Sequence, residues 1–198
     1  MGDGMDILKN KTFGIAAALA LSMALTRYNH FGSAMALPDA SYAVFFLGGL
    51  FLGRVRAALG ILALLMIEAA LIDYYAINFR EVSGWCVTSA YSFLVFSYGA
   101  LWFVGRWYAT RHELSFRGLS GLVLAGTVAG SAAFIIANIS FYLLAGYFDS
   151  MGVMQYVANV SQYYVSYVAI ALCYIGLAAG VQALLAFLSG KTRAANAR

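Results

Sequence analysis

The strongest constraint on this chain is the recurrence of apolar windows about as long as a bilayer is thick, with most charged residues in the gaps between them. A membrane-spanning helix needs roughly 20 mostly apolar residues. Such windows run over residues 12–28, 57–79, 85–108, 119–148 and 164–188, with a shorter one over 40–53. The chain is 63% hydrophobic and 10% charged, with a mean hydropathy of +0.81. A water-soluble domain of that composition would have no polar coat. The expected fold class is therefore an all-α membrane protein, with residues 1–198 forming one transmembrane domain of six transmembrane helices. The first window has no small-x-small cleavage site followed by a polar region, so it is expected to be retained rather than removed as a signal peptide. Residues 149–163 (DSMGVMQYVANVSQY) are too polar for lipid and too apolar for a free loop. They are expected to fold back over the membrane surface or into a cavity mouth.

Orientation follows from lysine and arginine. With the N-terminus cytoplasmic, the inner side receives Lys9, Lys11, Arg54, Arg56, Arg106, Arg111, Arg117, Lys191, Arg193 and Arg198, and the outer side only Arg27 and Arg80. Ten against two favours an even number of spans with both termini cytoplasmic. The net charge of +4 is then a topology signal. No basic face or stacking platform points to nucleic acid.

The polar and aromatic residues gather on the outer side: Arg27, Tyr28, His30, Asp39, Asp73, Trp85, Cys86 and Tyr91, then Tyr142, Tyr147, Tyr156, Asn159 and Gln162. The inner side has mainly arginine and His112. Tyrosine and tryptophan combine apolar area with a hydrogen-bonding tip and suit a large amphipathic ligand. An interfacial aromatic belt is the plainer explanation for any single one of them, but a belt thick on one side only favours a site.

Cys86 follows Gly84 and Trp85 at the start of the fourth window. A helix N-terminus there would lower the thiol pKa and favour thiolate, both a nucleophile and a soft metal ligand; simple packing is the alternative. Cys173 lies in an all-apolar stretch and is expected to act as a small hydrophobe, too deep to form a disulfide with Cys86. Intramembrane acids face a cavity or a partner. Glu68 and Asp73 are five residues apart, roughly 140° around a helix, so they cannot share a narrow face. Asp73 is the better candidate for the outer cavity, and Glu68 for pairing with an arginine or for the cytoplasmic half. His30 suits either solvent or a ligand. Ala16, Ala20 and Ala24 form a small-residue strip, flanked by Gly14, Ala18 and Ser22. Such a strip permits close helix approach, either inside the bundle or to a partner subunit. There is no phosphate-binding Gly-rich loop and no His-Glu-x-x-His, and no internal repeat of the inverted-transporter kind.

The segments Arg27-Tyr-Asn-His-Phe-Gly, Leu37-Pro-Asp-Ala-Ser-Tyr-Ala-Val-Phe-Phe-Leu-Gly-Gly and Gly84-Trp-Cys-Val-Thr-Ser-Ala-Tyr resemble the BtuM family of cobalamin transporters. That family is related to the S-components of energy-coupling-factor (ECF) transporters. Length, span number and cysteine placement agree over nearly the whole chain. The resemblance implies an ECF S-component-like fold in the bacterial cytoplasmic (inner) membrane and uptake of cobalamin from the periplasmic side. It also implies a cysteine, here Cys86, that ligates cobalt and promotes decyanation of cyanocobalamin. It implies no cofactor of the protein's own, cobalamin being the transported ligand. In S-components an alanine strip on the first helix, here Ala16, Ala20 and Ala24, meets a shared energising module. Asp73, Tyr91, His30, Trp85, Tyr28 and Tyr156 are the expected ligand-binding residues beside Cys86, with hydrogen-bonding roles for Asp73 and Tyr91.

Two other functions fit the same residues. One is a membrane-embedded cysteine transpeptidase or protease of the exosortase type, with Cys86 attacking a peptide carbonyl, His30 as base and Arg27 or Arg80 stabilising the oxyanion. The other is an S-component for a different vitamin, with Cys86 merely lining the pocket.

Overall fold

The computed structural model describes the backbone of residues 2–27 and 37–196, and the side chains of residues 10–27 and 37–190. It is all-helical, without a strand among the described residues: α1 (Gly2–Thr26), α2 (Ser41–Leu52), α3 (Ala58–Phe79), α4 (Leu94–Tyr108), α5 (Phe116–Leu144) and α6 (Val153–Asn196). The C-terminal ends of α1, α3 and α5 meet the N-terminal ends of α2, α4 and α6 around one cavity. Successive helices therefore alternate in direction, and α1 begins at the same end of the bundle at which α6 finishes.

The short α2 is the hub. Its sequence, SYAVFFLGGLFL, is apolar all round and is buried at ten of its twelve positions. A helix of that kind needs neighbours on every side, and α2 touches each of the other five helices. At ~1.5 Å per residue it is only about 18 Å long. Its closest partner is α4, which runs in the same direction: Phe45 stacks on Tyr98 with ring centroids 4.1 Å apart. Further along, the fully buried Trp102 lies across two glycines. A Cβ at Gly49 would collide with the carbonyl oxygen of Trp102, and one at Gly105 with that of Phe46. Lipid supplies little hydrophobic drive between helices, so close backbone approach and dispersion contacts hold such a pair.

The outer surface is apolar. Ile67, Leu71, Leu124, Val128, Ile135, Val181 and Leu184 are each more than half exposed. Three helical segments, Ala58–Phe79, Phe116–Leu144 and Val153–Gly190, are long and apolar enough to cross a membrane. α2 with 12 residues and α4 with 15 fall short of the ~20 that a full span needs.

The helix limits correct several expectations. The fourth helix starts at Leu94 instead of residue 85, because Gly84–Cys86 and Ser89–Phe93 form separate 3-10 turns. The hydroxyls of Ser83 and Thr88 accept bonds from the N–H groups of Trp85 (3.4 Å) and Ala90 (3.3 Å), a local alternative to continuous helix. The fifth helix ends at Leu144, not residue 148, where Gly146 adopts a left-handed φ of 75° that favours glycine. The sixth begins at Val153, eleven residues early. Residues 153–163 therefore form helix, and their polar members Asn159, Gln162 and Tyr163 line the cavity. The segment does not fold back as expected: these residues reach the cavity as the first turns of α6, and their polarity reflects the cavity wall. Cys173 is exposed on the bundle surface, and both cysteines are free.

Candidate functional site

The cavity has a volume of about 630 Å³ and is half open. Its wall is mostly aromatic and aliphatic, and among the described residues its charged lining is Arg27, Asp39 and Asp73. An apolar recess with few convergent polar groups is the usual form of a small-molecule site.

The polar floor is built around Arg27, at the end of α1 and only 6% exposed. Its Nε and Nη2 donate to Oδ1 and Oδ2 of Asp73 on α3, each at 2.7 Å. Its Nη1 donates to Ser41 Oγ on α2 at 2.7 Å and to the hydroxyl of Tyr98 on α4 at 2.8 Å. The Ser41 hydroxyl in turn donates to Asp39 Oδ1 at 2.6 Å, and Asp39 Oδ2 lies 4.0 Å from Nη1. One planar fork thus joins four helices, a geometry that lysine could not reproduce. The Tyr91 hydroxyl donates to Asp73 Oδ2 at 2.6 Å, tying the 3-10 segment to the floor. Thr26 Oγ1 accepts from the N–H of Ala40 at 3.0 Å, and the Tyr174 hydroxyl donates to the Pro38 carbonyl at 2.8 Å, fixing the approach to α2 from two sides.

The cysteine is delivered by the turn after α3. The N–H groups of Arg80 and Val82 both bond to the Ala76 carbonyl, at 3.0 and 3.2 Å, while Glu81 takes a left-handed φ of 55°. For a residue other than glycine that conformation costs about 1 kcal/mol. The reversal turns residues 82–87 back along the wall. Trp85 then stacks on Tyr147 with centroids 5.3 Å apart and meets Phe141 edge-on at 4.9 Å. These rings belong to an aromatic cluster at the α5–α6 junction, where Phe148 lies 4.8 Å from the ring of Tyr156. The Tyr156 hydroxyl donates to the carbonyl oxygen of Asn138 at 3.0 Å.

Cys86, Asp73, Tyr91, Trp85 and Tyr156 all line this one cavity. Tyr28 and His30 lie outside the described residues. The expectation of a thiolate activated at a helix start fails: Cys86 ends a single 3-10 turn, eight residues before α4 begins, so it does not sit at the N-terminus of an α-helix. Although exposed by area, the thiol is hemmed in by the cavity wall. That partial burial, and then the charge of Asp73, push its pKa above the usual cysteine value. Tyr91 is likewise raised, by burial and by its bond to Asp73. Resting Cys86 is therefore a thiol at neutral pH.

Glu68 is half-buried, does not line the cavity and forms no ion pair among the described residues. His112 sits at the other end of the bundle, 2.8 Å from Gln182 Oε1 and beside Phe51. Arg27, one of the two arginines that a peptide-cleaving arrangement would recruit, already donates to Asp73, Ser41 and Tyr98. Ala16, Ala20 and Ala24 are half-buried and pack against the core, so packing within the bundle accounts for this strip. Among the described residues, the small ones that α1 leaves exposed are Gly14, Ala17, Ala18 and Ser22. Sequence reasoning missed Arg27 as the hub, together with Ser41 and Tyr98. The available signal was Asp73 itself, since an acid inside a membrane protein needs a partner and Arg27 closes an apolar window on the same side.

Fold and site together define an α-helical membrane protein with an aromatic cavity at one end of its bundle and a single thiol in the cavity wall. No protein-family model matches the chain, and no curated protein matches it.

Proposed function

We propose that this protein is a six-span, ECF S-component-like corrinoid transporter of the BtuM type in the bacterial cytoplasmic membrane. Both termini are cytoplasmic, and the cavity takes cobalamin from the periplasmic side. The observation that carries this reading is the position of Cys86, the one thiol in the wall of a half-open aromatic cavity among the described residues. No group of three or more metal-ligating side chains occurs among the described residues. A bare ion would find too few donors, whereas a metal already held in a macrocycle needs only an axial one. The wall of Trp85, Phe141, Phe148 and Tyr156 suits the faces and edges of a large ring system, and the half-open form lets a ligand larger than the cavity protrude.

The chemistry is ligand exchange at cobalt(III). The Cys86 thiol gives up its proton, and the thiolate donates an electron pair to cobalt. Cyanide leaves with the cobalt–carbon electron pair and takes up the released proton as hydrogen cyanide, and the metal keeps its oxidation state. Sulfur is a strong donor and weakens the bond opposite. The raised thiol pKa fits a group that ionises when a positive metal centre arrives, instead of standing as a reactive thiolate beforehand. It also favours a ligand over a peptide nucleophile. A shared energising module would approach the exposed Gly14, Ala18 and Ser22 side of α1.

Purified protein mixed with cyanocobalamin should bind it and shift its visible absorption spectrum, and Cys86→Ser should abolish the shift. An unchanged wild-type spectrum would refute cobalt ligation. Mass spectrometry of the co-purified ligand separates corrinoid from any other vitamin.

A further inference from the structure

The opposite end of the bundle carries a second recess. About 360 Å³ in volume, it is lined by Arg54, Phe103, Arg106, Trp107, Thr110 and Arg111. Half of these residues are arginines and none is acidic. No carboxylate forms an ion pair with any of the three among the described residues. They are brought together by packing: α2 and α4 run side by side, and the close approach of Gly53 to the Arg106 side chain sets Arg54, just past α2, next to Arg106 on α4. Arg111, in the turn after α4, lies over the Trp107 ring at 4.4 Å and donates to the Trp107 carbonyl at 3.3 Å. Three like charges gathered in one recess repel one another until an anion joins them.

The neighbouring surface identifies the kind of anion. Phe103 and Trp107, one turn apart on α4, are 52% and 58% exposed and rim the recess on the bundle's outer face. α4 lines the cavity with Leu94 and Tyr98 and the recess with Phe103, Arg106 and Trp107, so the two sites lie at opposite ends of this helix. Tryptophan beside arginine at a helix end is the composition of a membrane–water interface. A soluble phosphate would use the guanidinium groups and leave the Phe103–Trp107 ridge without a role. A phospholipid uses both, its phosphate among the arginines and its acyl chain along the ridge. We propose that this recess binds the phosphate headgroup of an anionic phospholipid, independently of what the large cavity binds.

Phospholipids with brominated chains quench tryptophan fluorescence on contact. With the full-length protein in detergent micelles, brominated phosphatidylglycerol should quench at mole fractions where brominated phosphatidylcholine does not. A Trp107→Phe variant should lose that quenching, since Trp102 is buried and Trp85 belongs to the cavity at the other end. Arg54→Gln, Arg106→Gln and Arg111→Gln should each weaken the preference about five-fold. All three arginines are exposed, so the variants should fold, and cyanocobalamin binding serves as a control for the cavity. Equal quenching by the two lipids would overturn the proposal, as would quenching that persists in Trp107→Phe. Displacement of the lipid by inorganic phosphate at equal concentration would overturn the lipid source, because it would show that the acyl chain adds nothing.

Discussion

Replacing Arg27 by methionine keeps most of the side chain's volume and removes the fork that joins α1, α2, α3 and α4. It strands the Asp73 carboxylate with only the Tyr91 hydroxyl and leaves Asp39 with Ser41. Removing one partner of a buried ion pair typically costs about 3–5 kcal/mol. The Asp73 side chain keeps 21% exposure, so the lower end applies, about 3 kcal/mol. Asp73→Asn leaves Arg27 bonded to Ser41 and Tyr98, with Asp39 as counter-ion at 4.0 Å; losing the charge-assisted bonds should cost about 2 kcal/mol. Combining the two substitutions removes the stranded charge, so the double variant should lose about 3 kcal/mol and not the sum of about 5. Reversible unfolding in mixed micelles, followed by circular dichroism, measures all three variants. Additivity to within about 0.5 kcal/mol would mean that Arg27 and Asp73 do not act as a pair, and the account of the cavity floor would be wrong.

Two further outcomes follow from the same geometry. Alkylation of Cys86 by a small neutral reagent should be slow at pH 7 and accelerate roughly tenfold per pH unit until the thiol titrates. Because the Asp73 charge raises the thiol pKa, Asp73→Asn should increase the thiolate fraction and hasten the reaction at fixed pH; an alkylation rate independent of pH would refute the protonated resting state. Gly49→Ala drives a Cβ into the Trp102 carbonyl, and backbone cannot swing aside as a side chain can. It should cost about 3 kcal/mol in the same unfolding assay, while Gly60→Ala, where nothing lies within 4 Å, should not destabilise.

The helices were legible in the sequence because apolar window length is a property of the chain alone. The windows expected over 40–53 and 57–79 became Ser41–Leu52 and Ala58–Phe79. Hydropathy could not place the start of α4, since Trp85, Val87 and Phe93 are apolar enough to pass for helix while hydroxyl bonds to the backbone divide the stretch into short turns. Nor could it anticipate that Asn159 and Gln162 reach the cavity from a helix, because polarity alone does not distinguish a loop from a wetted helix face. Five of the expected ligand-binding residues share one cavity, since each stands at the same end of an alternating bundle. The pairing of Arg27 with Asp73 spans 46 positions of sequence and depends on how α1 and α3 lie beside α2. Window analysis carries no information of that kind.

The charges of the cavity bear on selectivity. Arg27 is outnumbered by Asp39 and Asp73, so the site carries an excess negative charge even with Cys86 protonated. Ionising the thiol adds another. A neutral ligand gives nothing in return for that second charge, and burial of the thiol, followed by the Asp73 charge, resists its ionisation. A cobalt(III) corrinoid brings the opposing charge on the atom that the sulfur contacts, so binding and deprotonation support each other. On the corrinoid reading the acidic floor and the protonated cysteine therefore form one device, which keeps the thiol quiet in the empty cavity and rewards a ligand that presents a cationic, sulfur-accepting centre at Cys86.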